Sequence, residues 1–418
     1  MSKIRFALTL SLAAFSTNLY AKDLFENIGI TTDDPNNRIQ IEAGDSSFPD
    51  LIEKVIEAKD QFQQLENRDS INYINYGGVK EAMSFKINAV GSAATLEIPV
   101  LDFKREFTGT SRDNLYDNIE DFLKKEGSDV YRRFLEAMNK KSLVAVSDGN
   151  PNSATAAIAN SIFDDSGFGG NDSVSQALNI SNMNLSLMAG MASIKAGDFE
   201  GRSYELPLGF SFGITDQITA KISAPLRYRV VEDAAIYDGN MIVNIPIKLL
   251  TPTINSENNS DGSPWFWMVT PSAGVGVTGS ADYAAGSFLY MFGLTNVLGY
   301  NFGTFSVTMG NSISLFKSNS FDVDDYDVGG DVDQQILKNG LKWTMPFDQK
   351  WVIEAYGIYT QFLQDAALEN YYTLGVQAGM RLGKETADES GVLFFRVGSD
   401  IGDDYSSVKV TLGSGFRF

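Results

Sequence analysis

From position 204 to 214 every second residue is apolar (Tyr204, Leu206, Leu208, Phe210, Phe212, Ile214), while Glu205, Gly209, Ser211 and Gly213 stand between them. After Thr215-Asp216-Gln217 the alternation resumes, with Ile218, Ala220, Ile222, Ala224, Leu226, Tyr228 and Val230 set against Thr219, Lys221, Ser223, Arg227 and Arg229. Successive side chains of a strand point to opposite faces. The two runs therefore predict a long hairpin with one apolar and one polar face.

The pattern returns at 237–249, 265–277, 288–302, 305–315, 337–347, 351–360, 371–382, 392–397 and 408–418, with a weaker first run at 184–194. That makes about twelve strands, most of them longer than the roughly 5–6 residues usual in soluble sheets and suited to tilted crossings of a membrane. A soluble sandwich would have to bury Trp265, Trp267, Phe288, Tyr290, Phe292 and Tyr300 in one interior. The expected fold is mainly β: a transmembrane antiparallel β-barrel over 181–418, preceded by a small α/β domain. The short turns 215–217, 303–304 and 348–349 follow even-numbered strands, and the acidic loop 317–333 follows an odd one, as expected for a barrel with short turns on one side. The long stretch 251–263 breaks this rule.

The amino terminus has the form of a secretory signal: Lys3 and Arg5, an apolar run over 6–15, then Leu19-Tyr20-Ala21 before a mature chain starting at Lys22. This assigns 1–21 to a signal peptide. No later run is a continuous apolar helix of the ~20 residues that cross a bilayer, so membrane residence would have to come from the barrel.

Residues 22–150 read as a small α/β domain, periplasmic or on the surface. An amphipathic helix is expected over 48–65, strands over 83–90 and 95–103, and helices over 112–126 and 129–140. Asp148-Gly149-Asn150-Pro151 marks the boundary. Within 151–180, a linker or a helix in the pore, an Ala-rich helix is expected at 153–163.

Composition removes most enzyme templates. The chain has no His and no Cys, which excludes imidazole catalysis and thiolate chemistry. Its 33 Lys+Arg against 53 Asp+Glu give a net charge of -20, opposed to binding bare nucleic acid. No cofactor or metal site is expected. The carboxylate pairs Asp324-Asp325 and Asp403-Asp404 lie in loops, where they read as solvated acid with cation binding as the alternative, and the alternating Asp331-Val332-Asp333 lacks the full calcium-loop spacing; Gly77-Gly78 lacks the context of a nucleotide loop.

If the apolar alternates face lipid, their neighbours face inward. The inward set then holds Lys221, Arg227, Arg229, Lys248, Lys338, Lys342, Arg381, Arg396, Lys409 and Arg417, against Glu205, Asp238 and Glu354. An acidic chain would thus keep a basic pore lining, with Arg227, Arg229 and Arg417 alternatively at the rims against lipid phosphates. Such a lining could attract anionic solutes or pair with an internal acidic plug, for which Asp164, Asp165 and Asp172 are the candidates.

The signal peptide, the alternating strands and the aromatic terminus Phe416-Arg417-Phe418 together resemble Gram-negative outer-membrane β-barrel proteins. The region 181–418 is similar to twelve-stranded autotransporter-type translocator barrels and to the export barrels of functional-amyloid systems. The resemblance implies location in the outer membrane, outer-membrane lipid and the barrel-assembly machinery as partners, and Phe418 as an assembly signal. It also implies a helix threaded through the pore just before the first strand. Residues 22–170 depart from it, being short for a passenger and without a solenoid repeat. The expected function is a pore or translocator passing solutes or a polypeptide, gated by its own N-terminal segment. The alternative is a membrane anchor displaying a small binding domain.

Overall fold

The computed structural model describes residues 23–177, 185–250, 264–319, 321–323, 326–328, 331–347, 350–383 and 391–416. The signal segment 1–21, the stretch 251–263, Asp324, Asp325, the turn 348–349, Arg417 and Phe418 lie outside them.

The N-terminal region builds a six-stranded antiparallel sheet from β1 (Phe25–Thr31), β2 (Gln40–Asp45), β3 (Ser70–Tyr76), β4 (Val79–Ile87), β5 (Ala93–Ile98) and β6 (Phe103–Thr108), in the order β2-β1-β3-β4-β5-β6. Three helices accompany it: α1 (Phe48–Ile56), α2 (Arg112–Asp121) and α3 (Ser128–Asn139). Ser47 and Ser111 cap α1 and α2 by accepting from the Asp50 and Asn114 amides. The apolar stripe Phe48, Leu51, Ile52, Val55 and Ile56 is buried.

Two expectations need correction. The helix expected over 48–65 stops at Ile56, because Ala58 and Asp60 take positive φ of 56° and 50°, and a 3₁₀ turn covers Asp60–Leu65. The region also has six strands where the sequence suggested two. Strands β1 and β3 alternate polar residues into the core, where Asn27 donates to Asn72 at 3.2 Å, so an apolar period of two is missing from them.

Twelve strands close the barrel: β7 (Leu185–Ala196), β8 (Phe199–Gly213), β9 (Thr219–Val231), β10 (Ala234–Asn244), β12 (Trp265–Ser280), β13 (Ala285–Asn301), β14 (Ser306–Asn319), β17 (Asp333–Phe347), β18 (Trp351–Phe362), β19 (Asn370–Leu382), β20 (Gly391–Gly402) and β21 (Tyr405–Phe416). Closure comes from antiparallel pairing of β21 with β7 and of β10 with β12. The run expected at 237–249 is divided: Pro246 has no N–H for the ladder, and the chain re-pairs as β11 (Ile247–Leu250) against β12. A small hairpin, β15 (Phe321–Val323) with β16 (Tyr326–Val328), projects between β14 and β17.

With an even strand number, the barrel begins (Leu185) and ends (Phe416) at one rim, here the terminal rim; the other is the far rim. The predicted division by turn length does not hold. Two-residue turns occur at the far rim, at Gly197-Asp198, Glu232-Asp233 and Asp403-Asp404, where Gly197, Glu232 and Asp404 adopt positive φ. The Asp403-Asp404 pair is therefore a hairpin turn. The far rim can be short because the N-terminal region covers it.

Candidate functional site

The barrel has opposite inner and outer surfaces. Outward alternates are exposed and apolar, among them Leu206, Phe210, Leu226, Phe292, Leu341 and Leu374. Of the inward set, Lys221, Arg227, Arg229, Asp238, Lys338, Lys342 and Glu354 are buried, with Arg229 at 0% and Lys338 at 1% exposure, while Glu205, Arg396 and Lys409 are half-buried. Charged side chains at such depth need partners. A segment of the same chain supplies many of them.

The N-terminal region docks on the far rim through the β12–β13 turn. The Phe48 amide donates to the Asp282 carbonyl at 2.8 Å, Tyr76 Oη to the Tyr283 carbonyl at 2.8 Å and Tyr131 Oη to the Ala284 carbonyl at 3.0 Å. The Tyr283 ring lies edge-on to Phe25 at 5.4 Å and close to Tyr76. One hydrophobic core therefore runs from the sheet region into the rim. Burial pushes the Tyr76 and Tyr283 hydroxyls above their ordinary pKa.

From this dock the chain turns into the lumen. Arg229 holds the bend, donating to the carbonyls of Asn152 (2.7 Å) and Val146 (3.0 Å) and to both oxygens of Asp238 (2.8 and 2.9 Å). Arg227 donates to Asp238 at 2.8 Å and to the Ser153 carbonyl at 3.0 Å. The alternative placement of Arg227 and Arg229 against lipid phosphates is thus corrected: both are buried, because the backbone bend and Asp238 together offer them acceptors. Asp148 accepts from Thr155 and Gln334, and burial raises its carboxyl pKa.

Helix α4 (Ala154–Phe163) then enters the barrel, a π turn covers Asp164–Phe168, and α5 (Gly170–Ala177) completes the segment. Its contacts descend β17 toward the terminal rim. Lys338 donates to Asn160 at 2.6 Å and to Thr360 at 2.8 Å. Four residues on, Lys342 donates to the Phe168 carbonyl at 2.6 Å and to Ser173. Glu354 accepts from Ser173, from Thr344 at 3.0 Å and from Gln377 at 2.9 Å, with Lys342 at 3.5 Å.

Asp164 meets Arg396 at 2.6 Å, and Asp165 meets Lys221 at 2.7 Å and accepts from Ser223 at 2.6 Å. Asp172 falls within α5, but its side chain is outside the described set. Lys409 pairs with Glu205 on the wall itself. Lys248 and Arg381 are half-buried toward the terminal rim.

Packing between the charges is apolar. Phe163 and Phe168, their tilted rings 4.5 Å apart, lie over Gly310 and Gly340, which oppose each other on β14 and β17. A Cβ at Gly310 would lie 2.6 Å from the Phe168 ring, and one at Gly340 the same. Ile158 and Ile162 likewise face Gly276 and Gly293, and Val174 faces Gly379. Alternation alone could not find this complementarity, since an inward glycine reads as filler until the opposing aromatic is known. Tyr283 and the carbonyls of Val146, Asn152 and Ser153 also carried no linear signal.

A cavity of about 140 Å³ remains beside α4, lined in part by the polar groups of Asn160, Asp164, Glu205, Lys338, Arg396 and Lys409. It has room for a cluster of waters. Among the described residues no group of three His, Cys, Asp or Glu is placed to hold a metal ion.

No protein-family model matches the sequence, and no curated protein does. Among solved structures, the chain is similar to the translocator domain of the autotransporter NalP from Neisseria meningitidis, at 16% identity and a TM-score of 0.39 over 59% of this chain and 92% of that one. It is also similar to the NanC porin, at 13% identity and 0.36 over 56% and 100%. An outer-membrane channel from Pseudomonas putida F1 matches at 12% identity and 0.38 over 56% and 96%. The structural neighbours of this closed twelve-stranded antiparallel barrel are thus autotransporter translocator domains, outer-membrane porins and channels.

Proposed function

We propose that the chain is an outer-membrane barrel of the translocator type, which has carried its own N-terminal domain to the far side of the membrane and holds it there with the pore closed by residues 146–177. The observation that carries this reading is the path of the chain. The domain sits on one rim, the barrel starts and ends at the other, and a helical segment packed inside the lumen joins them. Whichever side the terminal rim faces, the domain lies on the opposite one. The apolar outer face supports a hydrocarbon surround, since a continuous surface of Leu, Phe, Tyr and Trp is unfavourable in water.

Solute passage is a property of the barrel without its segment. The inward cations Lys221, Lys338, Lys342 and Arg396 then act as pore-lining residues, and Asp164 and Asp165, with Asp172, as the acidic plug. Outer-membrane lipid and the barrel-assembly machinery are the partners this reading requires, with Phe418 as the assembly signal. The chain works without a catalytic centre.

The test is protease accessibility on intact cells combined with bilayer recording. The proposal expects cleavage of the domain from outside and a silent full-length pore. Protection of the domain in intact cells, or a steadily conducting full-length chain, overturns it.

A further inference from the structure

The outward face carries one polar row where it should be most apolar. Alternation puts Asn296, Asn311 and Asn339 on the same side as Leu294, Met309, Ile313 and Leu341, all four exposed. The register places Asn296 opposite Asn311 and Asn311 opposite Asn339, so three carboxamides stand side by side across β13, β14 and β17. Trp267 Nε1 donates to Asn296 at 2.6 Å, and Asn311 Nδ2 donates to Asn339 at 2.7 Å. On β13 the row lies between the aromatic pair Tyr300 and Phe302 near the terminal rim and the pair Phe288 and Tyr290 toward the far rim. Such pairs mark the two interfaces of a membrane barrel, which puts the row at hydrocarbon depth.

Resting on the proposed membrane location, we infer that this ladder is the face through which two copies of the chain associate side by side. A carboxamide is donor and acceptor at once, with two N–H groups and two lone pairs. The two internal bonds use only part of that capacity. Polar groups in lipid seek partners on a neighbouring span, and a second copy turned by a two-fold axis presents an identical row, the isologous arrangement usual for dimers. A different membrane protein would need a polar row of its own at the same depth. The wall behind the ladder is also firm, because Gly310 and Gly340 are packed from inside by Phe163 and Phe168.

The chain has no cysteine, so one introduced thiol reports one position. Met309→Cys or Ile313→Cys in the full chain, inserted in phosphatidylethanolamine and phosphatidylglycerol vesicles and oxidised, should give a disulfide-linked dimer. Leu187→Cys, on the opposite wall, should not. Adding Asn296→Leu, Asn311→Leu and Asn339→Leu should lower dimer yield about tenfold, the scale of one or two lipid-buried polar contacts, while the barrel remains heat-modifiable. An inserted, heat-modifiable barrel that stays monomeric overturns the interface and leaves the barrel reading intact. Equal cross-linking from Leu187→Cys, an unchanged yield in the triple variant, or cross-links in cells to other proteins with none in vesicles overturn it as well. A chain that stays in water without inserting overturns both.

Discussion

The N-terminal chain is held in two places by unlike means. At the far rim the contact is aromatic and close-packed: Tyr283 from a barrel turn completes a core of Phe25, Phe48, Tyr76, Tyr131 and Phe134. In the lumen, ion pairs are set among apolar contacts of small wall residues, with Phe163 and Phe168 on Gly310 and Gly340, Ile158 and Ile162 on Gly276 and Gly293, and Val174 on Gly379. A rim contact of that kind exists only when the sheet region is folded, since its rings come from β1, β3, α1 and α3. The lumen contacts come from one short segment and need no folded domain. The difference suits a chain that passes through the barrel extended and folds beyond it.

The largest effect expected is on conductance. Removing residues 154–177 should convert a silent full-length protein into an open pore in planar bilayers. It should prefer anions, because Lys221, Lys338, Lys342 and Arg396 would lose the segment's counter-charges and acceptors. The preference should be stronger at low salt, where screening is weaker. A cation-preferring pore would mean that the wall charges do not govern its field.

Next in size are changes that strand a buried partner. Asp238→Asn leaves Arg227 and Arg229 facing each other without their shared carboxylate, and breaking such a buried pair costs about 3–5 kcal/mol. The loss should appear as a lower temperature for the heat-modifiability transition. At the rim, Tyr283→Ala should cost a similar ~3–5 kcal/mol, as for other buried aromatics. Limited proteolysis should then show a loosened N-terminal region on an intact barrel. Were both variants to loosen barrel and domain together, the two attachments would be one cooperative unit.

Gly310→Ala sharpens the lumen side alone. Its Cβ would press on the Phe168 ring, and overpacking costs about 1–3 kcal/mol. Adding Phe168→Leu should return part of it. If the single variant keeps wild-type stability, the rings move freely and their packing is loose.

The smallest effect is on pH dependence, at Asp148 where the chain leaves the rim. Its carboxyl pKa is raised by burial, so the folded state favours the protonated form. The wild type should be at its most stable, relative to Asp148→Asn, below the ordinary carboxylate range, and should lose that advantage as pH rises through this range to the raised value. A difference that does not change with pH would place Asp148 in contact with solvent.

Sequence and tertiary structure divide along physical lines. Period-two alternation is a local property of each strand, and it determined the barrel and its twelve strands, because one face of each strand must be apolar and a one-residue slip would exchange the faces. Asp164 and Asp165, acidic residues ahead of the first barrel strand, meet Arg396 and Lys221. Four of the six N-terminal strands were hidden, in part because polar residues such as Asn27 and Asn72 satisfy each other only once two strands are adjacent. The glycine and phenylalanine match, the carbonyls held by Arg229, the place of Tyr283 in a core begun some 250 residues earlier and the asparagine row across three strands were decided by the tertiary structure alone. Each depends on which residues closure of the barrel brings together, and a periodicity read along one strand contains no information about its neighbours.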